Sequence, residues 1–154
     1  MSQFKRAVWA EKHIVSLIDQ TQLPFEEIVF RSESYTDTCY AIKNMLTRGA
    51  GSIGATAAFA MMQAANEAGG SNRQSFLKKA KKEIEMTRPT AQDLFAAVDR
   101  VYDKALISFS EAEKEAHKIA DETADAGRKI GEYGNELIEN GFHILTHCNA
   151  GPLA

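Results

Sequence analysis

Hydrophobic and polar positions change rhythm twice along this chain, and the changes mark out its elements. Up to residue 30 the apolar runs have strand length. His13-Ile14-Val15-Ser16-Leu17 partly alternates, Glu27-Ile28-Val29-Phe30 is β-prone, and Leu23-Pro24 between them reads as a turn. The stretch from Phe4 to Phe30 is therefore predicted as short strands and turns. So small a sheet is marginal alone and must lean on a larger body. From Thr36 the spacing becomes helical. Cys39, Ile42, Met45 and Leu46 share one helix face, with Gly49 as the stop. Ser52 to Ala68 is rich in alanine and methionine and closes at Gly69-Gly70. With so few charges it is predicted to be a helix buried on most sides. Phe76, Leu77, Ala80 and Ile84 mark a third helix, ended by Arg88-Pro89. Thr90 with Asp93 resembles a capping box before Leu94, Ala97, Val98 and Val101. Ser110 with Glu113 is a better one, opening a long fifth helix. Its inner face carries Ala112, Ala116, Ile119, Thr123, Ile130 and Leu137. Gly127, Gly131 and Gly134 weaken that helix locally and suggest close contact with another backbone.

The second change comes at Gly141. Gly141-Phe142-His143-Ile144-Leu145-Thr146-His147-Cys148 reads as a strand, with Asn149-Ala150-Gly151 as its turn. A strand after a long helix is how a parallel α/β sheet opens. One strand cannot form a sheet, so the pattern implies a further domain absent from the chain. The exposed strand Phe142–Leu145 is then expected to make the chain self-associate or pair with its other half. The expected fold is mainly α, a helical domain with a small antiparallel sheet over residues 1–140, followed by the start of an α/β domain over 141–154.

Composition narrows the functions. The chain has 154 residues, 44% hydrophobic and 25% charged, enough for one core and too little for two full domains. A net charge of −3 argues against a nucleic-acid surface. No apolar run is long enough to span a bilayer. Glu11, Lys12 and His13 interrupt Ala7–Leu17, which is therefore no signal peptide. Cys39 and Cys148 suggest no disulfide framework, and the default setting is reducing and cytoplasmic.

Four segments carry candidate chemistry. Arg48-Gly49-Ala50-Gly51-Ser52-Ile53-Gly54 contains a literal G-x-G-x-x-G. A dinucleotide site needs that motif after a strand, and here a helix precedes it. Its anion-site physics survives: N–H groups at Gly49 to Ser52 would sit at a helix N-terminus, with Arg48 as a bidentate clamp. The alternative is a tight helix–helix turn with a surface arginine. Thr87-Arg88-Pro89-Thr90 places a second arginine before another helix start, where a plain helix stop is again the alternative. Cys148, at the end of the last run, is a candidate nucleophile or proton shuttle, or simply a small buried hydrophobe. Cys39 fits the buried role. His143, His147 and Cys148 do not make a metal site: residues four apart on a strand are roughly 13 Å apart, and zinc needs ligands at about 2 Å. Asp19-Gln20-Thr21 reads as a turn.

Taken in order, these segments resemble one family. Asp19-Gln20-Thr21-Gln22-Leu23-Pro24, Arg48-Gly49-Ala50 with Ile53-Gly54, Arg88-Pro89-Thr90-Ala91 with Leu94-Phe95, and Leu145-Thr146-His147-Cys148-Asn149-Ala150-Gly151 follow the order found in methylthioribose-1-phosphate isomerases. That family is related to the regulatory subunits of translation initiation factor 2B and to ribose-1,5-bisphosphate isomerases. The resemblance spans nearly the whole chain, and the Thr-His-Cys-Asn-Ala-Gly run is its most specific piece. It implies a helical N-terminal domain with a small sheet followed by a Rossmann-like domain, usually in a dimer. It also implies conversion of a phosphorylated pentose, an aldose 1-phosphate, into the ketose 1-phosphate without metal or nucleotide cofactor. By position, Arg48, Gly49 and Ala50 would bind substrate, Arg88 would hold its phosphate, and Cys148 would stand beside the reacting carbons. The family's aspartate acid/base, an Asn-Lys pair and a glutamine belong to the second domain, so this chain alone is expected to be inactive. One departure stands out: the family pattern has proline after Arg-Gly-Ala, and this chain has Gly51 followed by Ser52. A non-catalytic regulatory subunit of the initiation-factor type is the competing function. Cys148 retained beside both arginines favours the enzyme.

Overall fold

The computed structural model describes residues 6–154; Phe4, the predicted start of the strand-forming stretch, lies outside them. Three strands, β1 (Val8–Glu11), β2 (Ile14–Ile18) and β3 (Val29–Ser32), form an antiparallel sheet in the order β1-β2-β3. Val8 pairs with Leu17, and Val15 with Ser32. From Val15 to Ile18 every residue of β2 is buried. Both faces of the central strand are covered, which is why its alternation is only partial.

Five helices follow: α1 (Tyr35–Lys43), α2 (Ala50–Glu67), α3 (Arg73–Glu85), α4 (Gln92–Ala105) and α5 (Phe109–Asn135). The Ser34 hydroxyl caps α1 by accepting from the Asp37 N–H at 3.2 Å. This helix ends at Asn44 and not at Gly49. Met45 takes a left-handed conformation (φ 61°), with the Leu46 N–H on the Ala41 carbonyl and the Met45 N–H on Ile42. That pairing satisfies the last carbonyls of α1 and turns the chain toward α2.

α2 is the axis of the molecule. Its residues from Ser52 to Ala65 are all buried, as its scarcity of charge predicts. The other helices stand around it with legible directions. Near the start of α2, a Cβ on Gly54 would lie 3.1 Å from the Asp93 carbonyl oxygen, in the first turn of α4. At the far end, the Arg73 guanidinium donates to the Ala65 and Ala68 carbonyls of α2 and to the Ala105 carbonyl of α4. α2 and α4 are therefore parallel, with their positive ends together and one arginine across both negative ends. α5 runs the other way: Phe59 meets the ring of His117, and Gly51 approaches Thr123.

A buried polar cluster ties the sheet to this bundle. Gln63, fully buried, donates to the carbonyls of His13 and Ser32, both at 3.0 Å, and accepts from the Thr38 hydroxyl at 2.6 Å. One amide thus joins β3, the turn before β2, α1 and α2.

Several details differ from the sequence expectation. α5 is capped by Ser108, whose hydroxyl accepts from the Glu111 N–H at 3.1 Å; Ser110 already lies inside the helix. α4 has Ala91 at its N-cap and no side-chain cap, so Thr90 and Asp93 form no capping box. The inner face of α5 is buried through Ala120 and half-buried at Thr123, against Gly51. Asn135 is twelve positions after Thr123, about 18 Å of helix past the start of α2, and there Ile130 is 73% exposed; Leu137, expected on the inner face, lies past the helix end and is 78% exposed. Gly127, Gly131 and Gly134 face open space among the described residues. The run Phe142–Cys148 is exposed and forms no strand, contrary to the expected first strand of an α/β sheet. A strand needs a neighbour for its hydrogen bonds, and none of the three described strands reaches this run.

Candidate functional site

Parallel packing brings the two arginine-bearing turns to one end of the bundle. Arg48 lies in the loop from α1 to α2, two residues before the first residue of α2. Arg88 lies in the turn from α3 to α4, four residues before Gln92. Because Gly54 and Asp93 touch, the starts of α2 and α4 are side by side. Each leaves unpaired N–H groups and a partial positive charge at that end.

The α1–α2 loop is held in place. The Gln20 N–H donates to the Leu46 carbonyl at 2.9 Å, and the Thr56 hydroxyl reaches the Thr47 hydroxyl at 3.5 Å. Arg48 is half-buried and its Nε donates to the Met45 carbonyl at 3.3 Å. Gly49 is the N-cap, at φ 91°, which a side chain rarely tolerates. Ala50 opens α2 and is exposed.

The G-x-G-x-x-G spacing has a packing explanation at every glycine. Gly49 needs its positive φ and has the Ala154 backbone against it; Gly51 has Thr123 of α5 and the Ala154 oxygen; Gly54 has Asp93 of α4. The motif follows a helix and lets three segments close on the start of α2.

Arg88 is half-buried, and its Nη1 is shut off from solvent with no hydrogen-bond partner among the described residues. A buried guanidinium nitrogen without an acceptor is costly, and an anion would satisfy it.

The Cys148 segment reaches the same end by its backbone. Leu153 and Ala154 lie on the start of α2: the Ser52 N–H donates to the backbone oxygen of Ala154 at 2.6 Å, and the Ser52 hydroxyl and the Gln20 side-chain amide both donate to the Leu153 carbonyl at 2.9 Å. Cys148 itself is exposed, in a turn at φ 63°. A non-glycine residue in that region stores about 1 kcal/mol of strain. Cys39 is half-buried. Burial first, then the carboxylates of Glu83 and Glu67, push its thiol up to about 12, so it stays protonated and unreactive.

Of the residues singled out in the sequence, Arg48, Gly49, Ala50 and Arg88 thus lie at one end of the bundle, and the Cys148 motif is tied to it through residues 153 and 154. Gln20 sits in the turn that the sequence predicts, where the Asp19 carboxylate accepts from the Thr21 N–H and hydroxyl. The Gln20 contact with Leu153 spans 133 positions, and no local pattern announces it.

Among the described residues no group of His, Cys, Asp and Glu is arranged to hold a metal ion, and no helix is long and apolar enough to cross a membrane.

Comparison with known proteins agrees with this architecture. The chain is 40% identical over 152 residues to a methylthioribose-1-phosphate isomerase of Acetivibrio thermocellus, covering 92% of this chain and 44% of that protein. It is 40% identical over 144 residues to the enzyme of the same name from Thermotoga neapolitana, covering 90% of this chain and 42% of that protein. The crystal structure of 5-methylthioribose 1-phosphate isomerase from Pyrococcus horikoshii superposes with a TM-score of 0.85 at 36% identity, over 96% of this chain and 44% of that one. The delta subunit of translation initiation factor eIF-2B from A. fulgidus gives 0.78, also at 36% identity, over 96% of this chain and 46% of that one. The chain thus spans a little under half the length of the relatives it matches. The sequence model of the initiation factor 2 subunit family matches residues 46–153, from the loop that carries Arg48 through the docked Leu153, and the chain belongs to that family.

Proposed function

We propose that this chain is the N-terminal part of an aldose–ketose isomerase that converts a 5-substituted ribose 1-phosphate, methylthioribose 1-phosphate or a close analogue, into the ribulose 1-phosphate. The observation that carries the reading is the buried, unpartnered Arg88 Nη1 at the end of the bundle where α2 and α4 both begin. Relatives about 40% identical that bear the isomerase name support it. In this reading the domain over 1–140 supplies the phosphate cradle, and residues 141–154 lead into an α/β domain.

The chemistry suits such a cradle. A C1 phosphate locks the sugar as a ring. To reach the ketose, the ring oxygen takes a proton and the C1–ring oxygen bond breaks. The C2-bound hydrogen moves to C1, and the C2 hydroxyl loses its proton to become the carbonyl. Atoms and charge balance without an external oxidant. Arg48, Arg88 and the N–H groups at Gly49 and Ala50 hold the phosphate on C1, a group that is not itself transferred, so its binding energy orients C1 and C2. Cys148 stands by those carbons to assist proton transfer or shield the open-chain form. The principal acid/base aspartate belongs, by the resemblance, to the part of the relatives beyond the matched length.

The test is turnover. The chain fused to the C-terminal part of the Acetivibrio relative is expected to isomerise a 5-substituted ribose 1-phosphate. Cys148→Ser is expected to lower kcat about 100-fold, the lower range of a general acid–base contribution. A folded fusion that ignores every such sugar overturns the reading in favour of a non-catalytic initiation-factor-like subunit, and turnover indifferent to Cys148→Ser removes Cys148 from the mechanism.

A further inference from the structure

Three donors converge on two consecutive backbone oxygens just after the Cys148 motif. The Leu153 oxygen accepts from Gln20 Nε2 and Ser52 Oγ, both at 2.9 Å, and the Ala154 oxygen accepts from the Ser52 N–H at 2.6 Å. Both side chains are buried, Gln20 to 8% and Ser52 to 5% exposure. Gln20 is itself fixed, since its backbone N–H holds Leu46 in the α1–α2 loop. It therefore binds two things at once: the loop that presents Arg48 and the segment that follows Cys148.

Gly51 lies at this contact, and a Cβ there would lie 3.1 Å from the Ala154 oxygen and 2.7 Å from Thr123 Cγ2. Glycine leaves room for the docked backbone, and the next residue supplies two of the three donors. A turn with the Ala154 N–H on the Gly151 carbonyl at 3.0 Å carries the restraint back toward the cysteine. Gly151 is three residues from Cys148, so a fixed turn holds Cys148 within roughly 10 Å of it, at about 3.5 Å per residue.

We propose that Gln20 and Ser52 are positioning residues, a two-side-chain latch that docks the backbone after Cys148 on the start of α2 and so joins the cysteine and the phosphate cradle into one site. The consequence for catalysis rests on the isomerase reading; the latch does not. Ser52 is the third residue of α2, where the helix offers its N–H no partner, and that N–H donates to Ala154. Its hydrogen exchange therefore reports docking directly.

In this chain, Gln20→Met keeps the side chain's length and removes the donor. Exchange at the residue 52 amide is expected to quicken roughly five-fold, the net worth of one neutral hydrogen bond, with the Val15 and Leu17 amides of β2 unchanged. Ser52→Ala is the second variant, read at the same amide and expected to act in the same direction. Exchange at residue 52 unchanged in both variants overturns the latch. Acceleration that spreads equally through β2 and α2 overturns it too, since it marks a general loss of stability. In the fused enzyme the same variants are expected to lower kcat at least five-fold with KM held within two-fold, because the cradle is intact. A raised KM with unchanged kcat overturns the link to Cys148. If even the unmutated fusion turns over no sugar phosphate, the isomerase reading fails while the exchange result still decides the latch.

Discussion

Arg88→Met is expected to weaken binding of a sugar 1-phosphate to this chain about 30-fold while leaving the fold at least as stable as before. The two halves of that result have one cause. Nη1 of Arg88 is buried and has no acceptor among the described residues. A hydrogen bond to a charged group contributes about 1.5–3 kcal/mol, which is roughly 10- to 150-fold in affinity. Without ligand the same nitrogen is a liability, because removing an unsatisfied buried donor relieves a desolvation cost. Methionine keeps the apolar stem's packing. Calorimetric titration with ribose 1-phosphate, together with urea unfolding, separates the two effects. A structural arginine would show the opposite signs: lower stability with unchanged affinity.

The largest expected loss of stability is at Gln63. Gln63→Leu keeps most of the volume but strips the donors from the His13 and Ser32 carbonyls and the acceptor from the Thr38 hydroxyl, all around a side chain with no exposure. Two carbonyls lose their side-chain donor in the core, while the Thr38 hydroxyl keeps the Ser32 hydroxyl at 2.6 Å; the loss amounts to about 2–3 kcal/mol. For a domain of this size that lowers Tm by roughly 10 °C. Urea unfolding of the two chains measures it. A loss below about 1 kcal/mol would mean that the sheet is not anchored to α2 through this amide.

What the sequence discloses follows the range of the forces involved. Helix faces are set by neighbours three and four positions away, so Leu94, Ala97, Val98 and Val101 of α4 are legible and all buried. The burial of α2 is legible for a related reason, since a helix nearly free of charge has no face suited to water. Caps are harder. Ser108 and Ser110 are two residues apart and both have Glu three places on; the choice falls to Ser108 because its backbone is extended (φ −162°, ψ 164°), so its hydroxyl can reach the Glu111 N–H. The stripe on α5 continues in sequence to Leu137, but periodicity says which residues share a face and not what covers it. At the candidate site, residue types pointed to Arg48 and Arg88. Their common location depends on α2 and α4 being parallel, which Gly54 against Asp93 and Arg73 across the other ends establish. The docking of Leu153 on Ser52 spans 101 positions and is invisible to any window on the chain.

The central claim is that the paired starts of α2 and α4 form a phosphate cradle. Amide NMR during titration of this chain with ribose 1-phosphate tests it most directly. The account predicts saturable shifts at Gly49 and Ala50, at Gln92 and Asp93 and at the Arg88 side chain, with the far ends of both helices around Arg73 unmoved. Shifts gathered elsewhere on the molecule, or none at millimolar ligand, would contradict it.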